Sequence, residues 1–560
     1  MEMRRNVQDL TGREFDVLII GAGVYGAALA WDAASRGLSV AVIDQADFGA
    51  KTSANSLKTV HGGLRYLQTL DLKRVFESVT ERKTYLKIAS HLVHPLPVVM
   101  PTKGHAMKGP EILWAGLLAN DILSCTRNTG MDPQKKIPMG RIISRAACYY
   151  MLPGIHLDKV SGGASWTDAQ MYSTERMTLA FIQSAVQAGA VAVNYLSFLS
   201  FLKTDNKVCG IETCDVLNDR EVEIRAKLVI NAAGGWVDKV IQNGGPFKQQ
   251  RVNLSTAMNI VVNKNILSES AAGIYSRFRY NRPDGKTYRG SRVLFVSPWR
   301  DYTIIGTFHK PYDGHPDALS VRDDEIFSAI EEFNGAYPGS LIQPEDVSFA
   351  HKGFLPMSHV HSKTGEVNLS KHYRIIDHAR EDKLENVISV IGVKYTTARD
   401  VAQKVIDLAA AKLSGKAGKC ITSKTPLVGG DIHRFSRYMQ QVIENDPYDL
   451  DNAVIGRLIR LYGTEYPEVL RYIDKDAKWG QCIDQSNVMA AEIVHAVESE
   501  MAQKLSDVVL RRTDLGSGKN PGDKALRQCA EIMAAELGWD AQRINSEIEE
   551  VKAVYPSFSK

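Results

Sequence analysis

The chain has 560 residues, of which 44% are apolar and 24% are charged, and its formal net charge is +4. A chain of this length exceeds a single hydrophobic core, so we expect two or three domains. The composition excludes a disordered or collagen-like protein. No basic block is long enough to predict a nucleic-acid partner, although the small positive excess is compatible with an anionic substrate or an anionic membrane surface.

The seven cysteines are scattered and odd in number, and none forms a C-x-x-C pair. We therefore expect no disulfide framework and no metal site, and a cytoplasmic location fits best. Arg4 and Arg5 are followed by no apolar segment, so the start of the chain is not typical of a signal peptide. The longest apolar run, at residues 112–123, is interrupted by Asn120 and Asp121, so any membrane contact is expected to be peripheral.

The first predicted elements form a dinucleotide-binding unit. An apolar strand at residues 17–20 precedes Gly21, Gly23 and Gly26, and a helix follows at residues 27–35. Glycines at this spacing allow a tight turn, close approach of a pyrophosphate and close packing of helix on strand. The start of the helix adds free N–H groups and the positive end of a dipole.

A carboxylate follows the second predicted strand. This strand, at residues 38–43, ends at Asp44. A carboxylate at this place can accept a hydrogen bond from a ribose hydroxyl group, and a turn-capping role is the alternative.

Two later segments favour FAD over NAD. Residues 208–215 and 227–238 predict a strand pair that leads into a buried strand and then into Gly234, Gly235 and Trp236. In FAD enzymes with this N-terminal turn, such a segment returns to the nucleotide, whereas NAD dehydrogenases do not need it. The glycines let the chain pass close to a cofactor, and an ordinary strand-to-helix turn is the alternative.

The order of elements predicts an α/β fold with a Rossmann-like parallel sheet. Helical stretches are predicted at residues 75–89, 173–188 and 399–413. A strand-rich region at about 252–390 predicts an inserted antiparallel β-rich substrate domain, with apolar runs at residues 258–263, 292–300, 302–308 and 386–392.

The rest of the chain is expected to be an all-α C-terminal domain. After a Gly-, Ser- and Lys-rich stretch with the composition of a linker, apolar residues recur at helical spacing in residues 453–462, 488–501 and 524–537. The predicted boundaries are an oxidoreductase region at 1–413, a linker at 414–432 and a helical domain at 433–560. Within the first region, FAD-binding segments are expected at about 14–75, 190–240 and 385–413, and substrate-domain segments at about 90–165 and 252–384.

Over nearly its whole length the chain resembles the FAD-dependent glycerol-3-phosphate dehydrogenase and oxidase family. The segments that carry the resemblance are the N-terminal glycine turn, TSANSLKTVHGGLRYL (52–67), NAAGGWVD (231–238), RVLFVSPWRDYTIIGT (292–307), GVKYTTARDVA (392–402) and MAQKLSDVVLRRTDLG (501–516). HGGLRYL and the last segment are the most specific, because a generic flavoprotein would need neither.

The resemblance implies a function. The expected reaction is oxidation of sn-glycerol 3-phosphate, or a closely related polyol phosphate, to dihydroxyacetone phosphate by hydride transfer to flavin N5. Electrons would then pass to a quinone or to oxygen. A peripheral location on the inner face of the membrane and a homodimer are both compatible with the resemblance.

Candidate cofactor contacts follow from small residues, hydroxyl groups and a second strand-to-helix turn. They are Gly21, Gly23, Gly26, Asp44, Thr52, Ser53, Ser56, His61, Gly62, Gly63, Gly234, Trp236, Gly392, Val393, Lys394, Tyr395 and Thr396. His61 is expected to be either structural or flavin-facing, and Lys58 is a weaker candidate. Lys394 would add positive charge near the flavin or bind a substrate anion, and a solvated lysine is the alternative.

By the resemblance, Arg65 and Tyr66 face the substrate, and a guanidinium group suits a phosphate. Arg292 opens a hairpin that lies beside the active site in relatives, although an arginine at a strand start is equally often a surface residue. The candidate catalytic residues are Arg65, Tyr66, Lys394 and His309.

Three positions depart from the family pattern. Asn259 stands where the family has a histidine, Leu355 stands where it has an arginine associated with substrate phosphate, and Phe308-His309 replaces Thr-Asp. Losing one arginine that binds phosphate through two hydrogen bonds typically costs roughly 1.5–3 kcal/mol of binding free energy. His309, His351 or Lys352 is expected to restore the missing charge or base.

These departures keep two other interpretations open. The first is a related flavoprotein that oxidises a 2-hydroxy acid or an amine. The second is a flavin-binding subunit that has lost turnover. HGGLRYL and the helical C-terminal region count against the first.

Overall fold

The computed structural model describes residues 2–105, 109–155, 160–245, 250–267, 269–281, 285, 287–362, 364–415 and 417–559. Its strands are β1 (Glu14–Ile20), β2 (Val40–Ile43), β3 (Thr59–Val60), β4 (Val93–Thr102), β5 (Arg141–Ile143), β6 (Gly162–Met171), β7 (Val191–Val193), β8 (Leu196–Thr204), β9 (Lys207–Asp215), β10 (Arg220–Asn231), β11 (Asn253–Val262), β12 (Ala271–Asn281), β13 (Thr287–Trp299), β14 (Tyr302–Tyr312), β15 (Val347–Val360), β16 (Val367–Leu369), β17 (Arg374–Asp377) and β18 (Val387–Ile391). Its helices are α1 (Val24–Ser35), α2 (Leu72–Ile88), α3 (Pro110–Leu123), α4 (Arg145–Met151), α5 (Thr174–Gln187), α6 (Val237–Asn243), α7 (Asp323–Ala336), α8 (His378–Glu381), α9 (Ala398–Lys412), α10 (Phe435–Glu444), α11 (Asn452–Tyr462), α12 (Tyr466–Lys475), α13 (Ala490–Glu500), α14 (Leu505–Asp507), α15 (Asp523–Leu537) and α16 (Ala541–Lys552).

The first sheet has a parallel centre in the order β7-β2-β1-β10-β18, with β17 antiparallel at one edge and a β8-β9 hairpin attached to β10. Helices α1, α5 and α9 pack together on one face, where Trp31 meets Phe181 at 5.5 Å between ring centroids. Residues 17–20 of β1 are apolar without alternation because both faces of this part of the strand are buried. This sheet confirms the predicted Rossmann-like fold.

The second sheet follows the order β16-β15-β11-β14-β13-β12-β4-β6-β3, with β5 paired to β6. It is antiparallel except for the short parallel contact between β12 and β4. Strands that precede α5 in the chain (β3–β6) and strands that follow β10 (β11–β16) therefore combine into this one sheet. The assignment of residues 386–392 to the antiparallel region is wrong, because β18 pairs in parallel with β10 in the first sheet. Its five residues are all buried and four of them are apolar, as is typical of a central parallel strand.

The predicted linker is packed against the first sheet's helices. Thr422 and Leu427 are buried, Gly418 donates its N–H to the Arg36 carbonyl, and Leu427 donates its N–H to the Ile88 carbonyl. Its Gly- and Ser-rich composition therefore does not produce a loose tether at these residues.

The helices after residue 433 bury their own apolar faces and also pack on β11, β14 and β15 through Val261, Ile304 and Phe349. Across the described ranges, none of the helices is both long and apolar enough to cross a membrane.

Candidate functional site

A cleft of about 2480 Å³ opens where the two sheets meet. It is lined by every predicted site residue except Gly26 and Gly62. His351 and Lys352, which were expected to replace the missing charge or base, do not line the cleft. The sequence prediction thus identified the walls of one cavity, although the contacts that these residues make with a cofactor stay a prediction.

The glycine turn between β1 and α1 is built by close packing. Gly21 has φ +95°, and a Cβ atom there would lie 2.9 Å from the Ala232 carbonyl oxygen. A Cβ atom on Gly26 would lie only 1.7 Å from the Gly21 carbonyl oxygen. These contacts are why the chain has glycine at both positions. They bring the start of α1 against the end of β1, where the turn faces the cleft.

Two side chains hold this turn from outside. Ser53 Oγ accepts the Val24 N–H at 2.9 Å, at the first residue of α1. Asp44 accepts the N–H of Ala22 at 2.7 Å and that of Ala46 at 2.9 Å. Burial raises the pKa of Asp44 to about 6, although both N–H groups favour its carboxylate form. Asp44 therefore has the turn-capping role, and its remaining lone pairs can still accept a ribose hydroxyl group.

A second close approach occurs after β18. A Cβ atom on Gly392 would lie 2.1 Å from the Tyr25 ring, and Tyr25 donates its hydroxyl hydrogen to the Lys394 carbonyl at 2.8 Å. The Tyr395 hydroxyl lies within 3.1 Å of Thr178 Oγ1 and the Thr174 carbonyl in α5. The segment is thus fixed on both sides, with its backbone along the cleft.

The structure brings Lys394 and Tyr66 together. Lys394 Nζ donates to Ser78 Oγ at 2.8 Å and lies 3.5 Å from the Tyr66 hydroxyl oxygen. Burial lowers the pKa of Lys394 to about 8, and Arg74 acts in the same direction. The lysine is therefore not a freely solvated side chain, which excludes that alternative.

A buried network positions the HGGLRYL segment. Asp168 accepts the Gly62 N–H at 2.7 Å, and its carboxylate lies 3.1 Å from His61 Nδ1 and 3.0 Å from Arg82 Nη1. Burial alone would raise the pKa of Asp168, but His61, Arg82 and the Gly62 N–H lower it to about 2. The sequence analysis missed Asp168 and Arg82. The available signal was that Asp168 is the single charged residue of strand β6.

The remaining residues of this segment divide into cleft-facing and structural groups. Thr52 Oγ1 accepts the Phe354 N–H at 3.0 Å, and Ser56 Oγ accepts the Lys58 N–H at 3.2 Å. Lys58 is fully buried and pairs with Glu175 at 2.5 Å, so its role is structural. Arg65 is exposed to the cleft, and none of the described residues pairs with it.

The turn after β10 also faces the cleft, but with open space beside its glycine. Gly234 has φ +55°, lines the cleft, and a Cβ atom there would meet nothing within 4 Å. Trp236 donates its indole N–H to Asp317 at 2.6 Å. Asn231, at the end of β10, reaches Ser389 Oγ at 3.2 Å.

Ser389, His378 and Asp382 have the hydrogen-bond order of a catalytic triad. Ser389 Oγ lies 2.7 Å from His378 Nε2, and His378 Nδ1 lies 2.5 Å from Asp382. All three residues lie outside the cleft, and Ser389 and His378 are buried, so no substrate can reach this serine. The network instead supports Asn231 behind the turn, and the sequence analysis missed it.

The comparisons with known proteins agree with this architecture. The family model for FAD dependent oxidoreductases matches residues 16–391, and that for the C-terminal domain of alpha-glycerophosphate oxidase matches residues 420–544. The mitochondrial glycerol-3-phosphate dehydrogenase of Bos taurus is 30% identical over 96% of this chain and 72% of its own. The glycerol-3-phosphate dehydrogenase of Synechocystis sp. is 29% identical over 97% of both chains.

The chain belongs to the FAD-dependent glycerol-3-phosphate dehydrogenase family. The solved glycerol-3-phosphate dehydrogenase of Bacillus halodurans, a complex with FAD, has the same fold, with a TM-score of 0.75, 22% identity and coverage of 98% of this chain and 96% of its own. The L-alpha-glycerophosphate oxidase of Mycoplasma pneumoniae shares the fold more distantly, with a TM-score of 0.50, 14% identity and coverage of 74% of this chain and 99% of its own.

The residues of the cleft fit FAD. The glycine turn at Gly21 leads into the start of α1, and Asp44 keeps acceptor capacity at the end of β2. Gly234 leaves open space where a side chain would intrude, as a cradle for a large cofactor requires. Lys394 supplies positive charge on the same cavity wall. These residues would hold the FAD that the family uses.

The substrate side differs from the family pattern quoted above. Asn259 is buried and accepts the Thr307 hydroxyl hydrogen at 2.8 Å, and Leu355 lines the cleft with an apolar side chain. Arg292 does reach the cleft, but it donates to the Glu332 carboxylate on α7 through Nε at 2.9 Å and Nη2 at 3.0 Å. The sequence analysis missed Glu332. Its carboxylate neutralises an arginine that would otherwise attract the substrate anion.

Of the three replacement candidates, only His309 lies in the cleft. Burial, together with the charges of Arg292 and Arg65, lowers the pKa of His309 to about 4. Its Nδ1 atom is buried without a hydrogen-bond partner in the described residues. The predictions for His351 and Lys352 are wrong, because His351 packs against Phe349 and Trp299 and Lys352 pairs with Glu325.

Proposed function

We propose that the protein oxidises the secondary alcohol of sn-glycerol 3-phosphate to dihydroxyacetone phosphate. The observation that carries this proposal is Arg65, a guanidinium group exposed to the FAD cleft and unpaired within the described ranges. It lies in the HGGLRYL segment and close enough to His309 to lower that residue's pKa. A guanidinium group binds phosphate through two parallel hydrogen bonds, so Arg65 orients the substrate by its phosphate.

The chemistry removes a hydride and a proton from one alcohol. FAD, when bound, supplies the two-electron acceptor for the hydride. His309 is neutral at neutral pH, so it can accept the hydroxyl proton as the C–O bond becomes a carbonyl. Lys394 and Tyr66, which lie together beside the cleft, orient the reacting end and stabilise negative charge on its oxygen.

The substrate class is tested by mixing FAD-loaded protein anaerobically with sn-glycerol 3-phosphate while the visible flavin absorbance is followed. We expect this band to bleach, because the alcohol delivers two electrons. Glycerol, which lacks the phosphate, is the matched control and should bleach it at least tenfold more slowly at equal concentration. Bleaching by a 2-hydroxy acid or an amine, with an unchanged band in sn-glycerol 3-phosphate, would overturn the proposal.

We also propose that electrons pass to a quinone and that the protein lies peripherally on the inner, cytoplasmic face of a membrane. Support comes from α3, whose polarity is inverted. Its polar residues Asn120 and Asp121 are buried, whereas Trp114 and Ile122 are 55% and 64% exposed. A helix that turns apolar side chains outward needs a partner for that face.

The exposed apolar surface continues from α3 to the mouth of the cleft. Leu70 is 81% exposed and Phe76 is 60% exposed, and the segment that ends at Leu70 packs beside α3. Leu70 and Ile112 line the cleft as well. An apolar quinone dissolved in a bilayer can therefore enter over the same surface that contacts the lipid. The exposed cations Lys73 and Arg141 flank it and suit anionic lipid headgroups.

A further inference from the structure

Two consecutive arginines of the C-terminal region converge on one buried carboxylate of the FAD-binding region. Asp47 Oδ2 accepts Arg511 Nε and Arg512 Nη1, both at 2.6 Å, and Asp47 Oδ1 accepts Arg512 Nη2 at 2.7 Å. The Asp47 and Arg512 side chains are almost fully buried. Burial alone would raise the pKa of Asp47, but the charges of Arg512 and Arg511 lower it to about 2. We call this group the Asp47 clamp.

The charges of the clamp are balanced, and its two arginines have further hydrogen-bond partners in the C-terminal region. Asp507 accepts Arg511 Nη2 at 2.5 Å and the Tyr195 hydroxyl hydrogen at 2.6 Å. Arg512 also donates to the Glu500 carbonyl through Nε at 3.1 Å. Two carboxylates thus face two guanidinium groups. Removing one member would leave an uncompensated charge inside the protein, which is strongly unfavourable.

The loop that carries Asp47 leads directly to the glycine turn. Asp47 lies between Asp44, which accepts the Ala22 N–H at 2.7 Å, and Gly49, which donates its own N–H to the Ala22 carbonyl at 3.0 Å. Ala22 is the residue between Gly21 and Gly23. Its two backbone polar groups are therefore both held by the loop that the clamp fixes.

The two arginines that meet at this carboxylate lie in a local helical irregularity. Residues Val508–Arg512 form a π-helical turn at the end of α14. In a regular α-helix, successive side chains point about 100° apart, and a π-helical turn changes this angle. Such turns occur frequently at functional sites, and this one faces the cofactor loop.

We propose that Arg511 and Arg512 are positioning residues for FAD, so that docking of the C-terminal region sets the affinity for the cofactor. This inference rests on FAD being the cofactor. The arginines touch neither the cleft nor the substrate side. They act through Asp47 on the loop, and the loop fixes the glycine turn and Asp44, which stand where the dinucleotide binds. Loss of the clamp should loosen FAD without altering the chemistry of the protein that retains it.

The test replaces Arg512 by lysine, which keeps the charge but loses the forked pair of hydrogen bonds. FAD affinity is measured by titrating apoprotein while flavin fluorescence is followed. We expect the Kd of FAD to rise at least tenfold, with kcat and the KM for sn-glycerol 3-phosphate unchanged at saturating FAD. Asp47→Asn retains the side-chain volume and should give the same rise. In the double variant the two effects should not multiply, because both changes break one contact.

Arg300→Lys is the matched control. Arg300, between β13 and β14, also crosses to the C-terminal region, where Nη1 donates to Ser517 Oγ at 2.9 Å, and it is also largely buried. It contacts neither the Asp47 loop nor the two arginines of the clamp, so its variant should lower the Tm of the apoprotein while changing the Kd of FAD less than about twofold. Equal rises in Kd for the two variants, or none for Arg512→Lys and Asp47→Asn, would overturn the inference. Wild-type protein that binds no FAD would instead contradict the proposed function.

Discussion

His309 is kept neutral by its surroundings, and this bears on both catalysis and stability. Its pKa in the folded protein is about 4, against 6.5 for an ordinary histidine. Between these values the unfolded chain binds a proton that the folded protein does not. The free energy of unfolding is therefore undiminished by His309 above pH 6.5 and falls as the pH drops towards 4. Over the same interval the folded His309 remains able to accept a proton.

We predict that His309→Gln lowers kcat/KM for sn-glycerol 3-phosphate by about 10²- to 10⁴-fold, the usual contribution of a general base. In the wild type, the acid limb of the kcat/KM profile should lie well below pH 6.5, because the pKa of His309 is about 4. His351→Leu is the control, since His351 is buried away from the cleft. It should change the Tm and not kcat/KM. An unchanged rate in His309→Gln would remove His309 from the mechanism.

At the scale of elements, the β1–α1 turn depends on the absence of one side chain. A Cβ atom on Gly26 would overlap the Gly21 carbonyl, and backbone on both sides of this contact cannot move away. The cost of such overpacking reaches about 3 kcal/mol or more, because helix and strand must separate. Separation would also move the start of α1 from the place where it faces the cleft.

We therefore predict that Gly26→Ala lowers the free energy of unfolding by about 3 kcal/mol and abolishes FAD retention through gel filtration. Gly335→Ala is the matched control, because Gly335 lies in α7 and a Cβ atom there would meet nothing within 4 Å. It should raise stability by about 0.5–1 kcal/mol through helix propensity. Urea unfolding and flavin absorbance measure the two effects. A Gly26→Ala protein with normal FAD content would show that the packing argument fails.

At the scale of the whole molecule, the cleft, the inverted helix α3 and the C-terminal region form one arrangement. The C-terminal region reaches the cofactor loop through the Asp47 clamp, while α3 and the start of α2 leave an apolar surface around the cleft. Three of the outward apolar residues of α3, Trp114, Leu118 and Ile122, recur every four residues, as they would on a helix that lies in a membrane interface.

We predict that the wild type binds vesicles of phosphatidylglycerol and phosphatidylcholine and that Ile112→Ser, Trp114→Ser and Ile122→Ser together weaken this binding at least tenfold. Each side chain loses part of the roughly 1.5–3 kcal/mol that full burial provides. The control combines Val216→Ser, Leu341→Ser and Ile421→Ser, which remove apolar residues of similar exposure outside this surface. Vesicle flotation measures the binding. Equal effects of the two triple variants would contradict the assigned surface.

Much of the architecture follows from local sequence. The order of strand, glycine turn and helix at residues 17–35 predicted β1 and α1, because a fully buried stretch of strand is apolar throughout and Gly21 and Gly26 each lie against nearby backbone. The C-terminal helices were equally visible, since helical spacing of apolar residues is a local property. The family motifs added FAD and the substrate class.

Which polar side chains enter the substrate side of the cleft depended on the tertiary structure. His309 and His351 stand on the two strands that flank β11, yet one enters the cleft and the other enters the core. Their partners on β11, Ala257 and Asn259, are two residues apart and therefore lie on the same face of the strand. The difference comes from what packs over each histidine, since His351 contacts Phe349 and Trp299. No sequence pattern showed that packing.

The sequence by itself determined most of the elements, the cofactor class and a set of candidate residues of which most line the cleft, because these depend on nearby residues and on motifs read along the chain. Only the tertiary structure decided which charges are neutralised and which are free. Glu332 neutralises Arg292, and Arg512 meets Asp47 across 465 positions. Such pairs arise where distant segments pack, and electrostatic energy depends on distance in space and on burial rather than on separation along the chain.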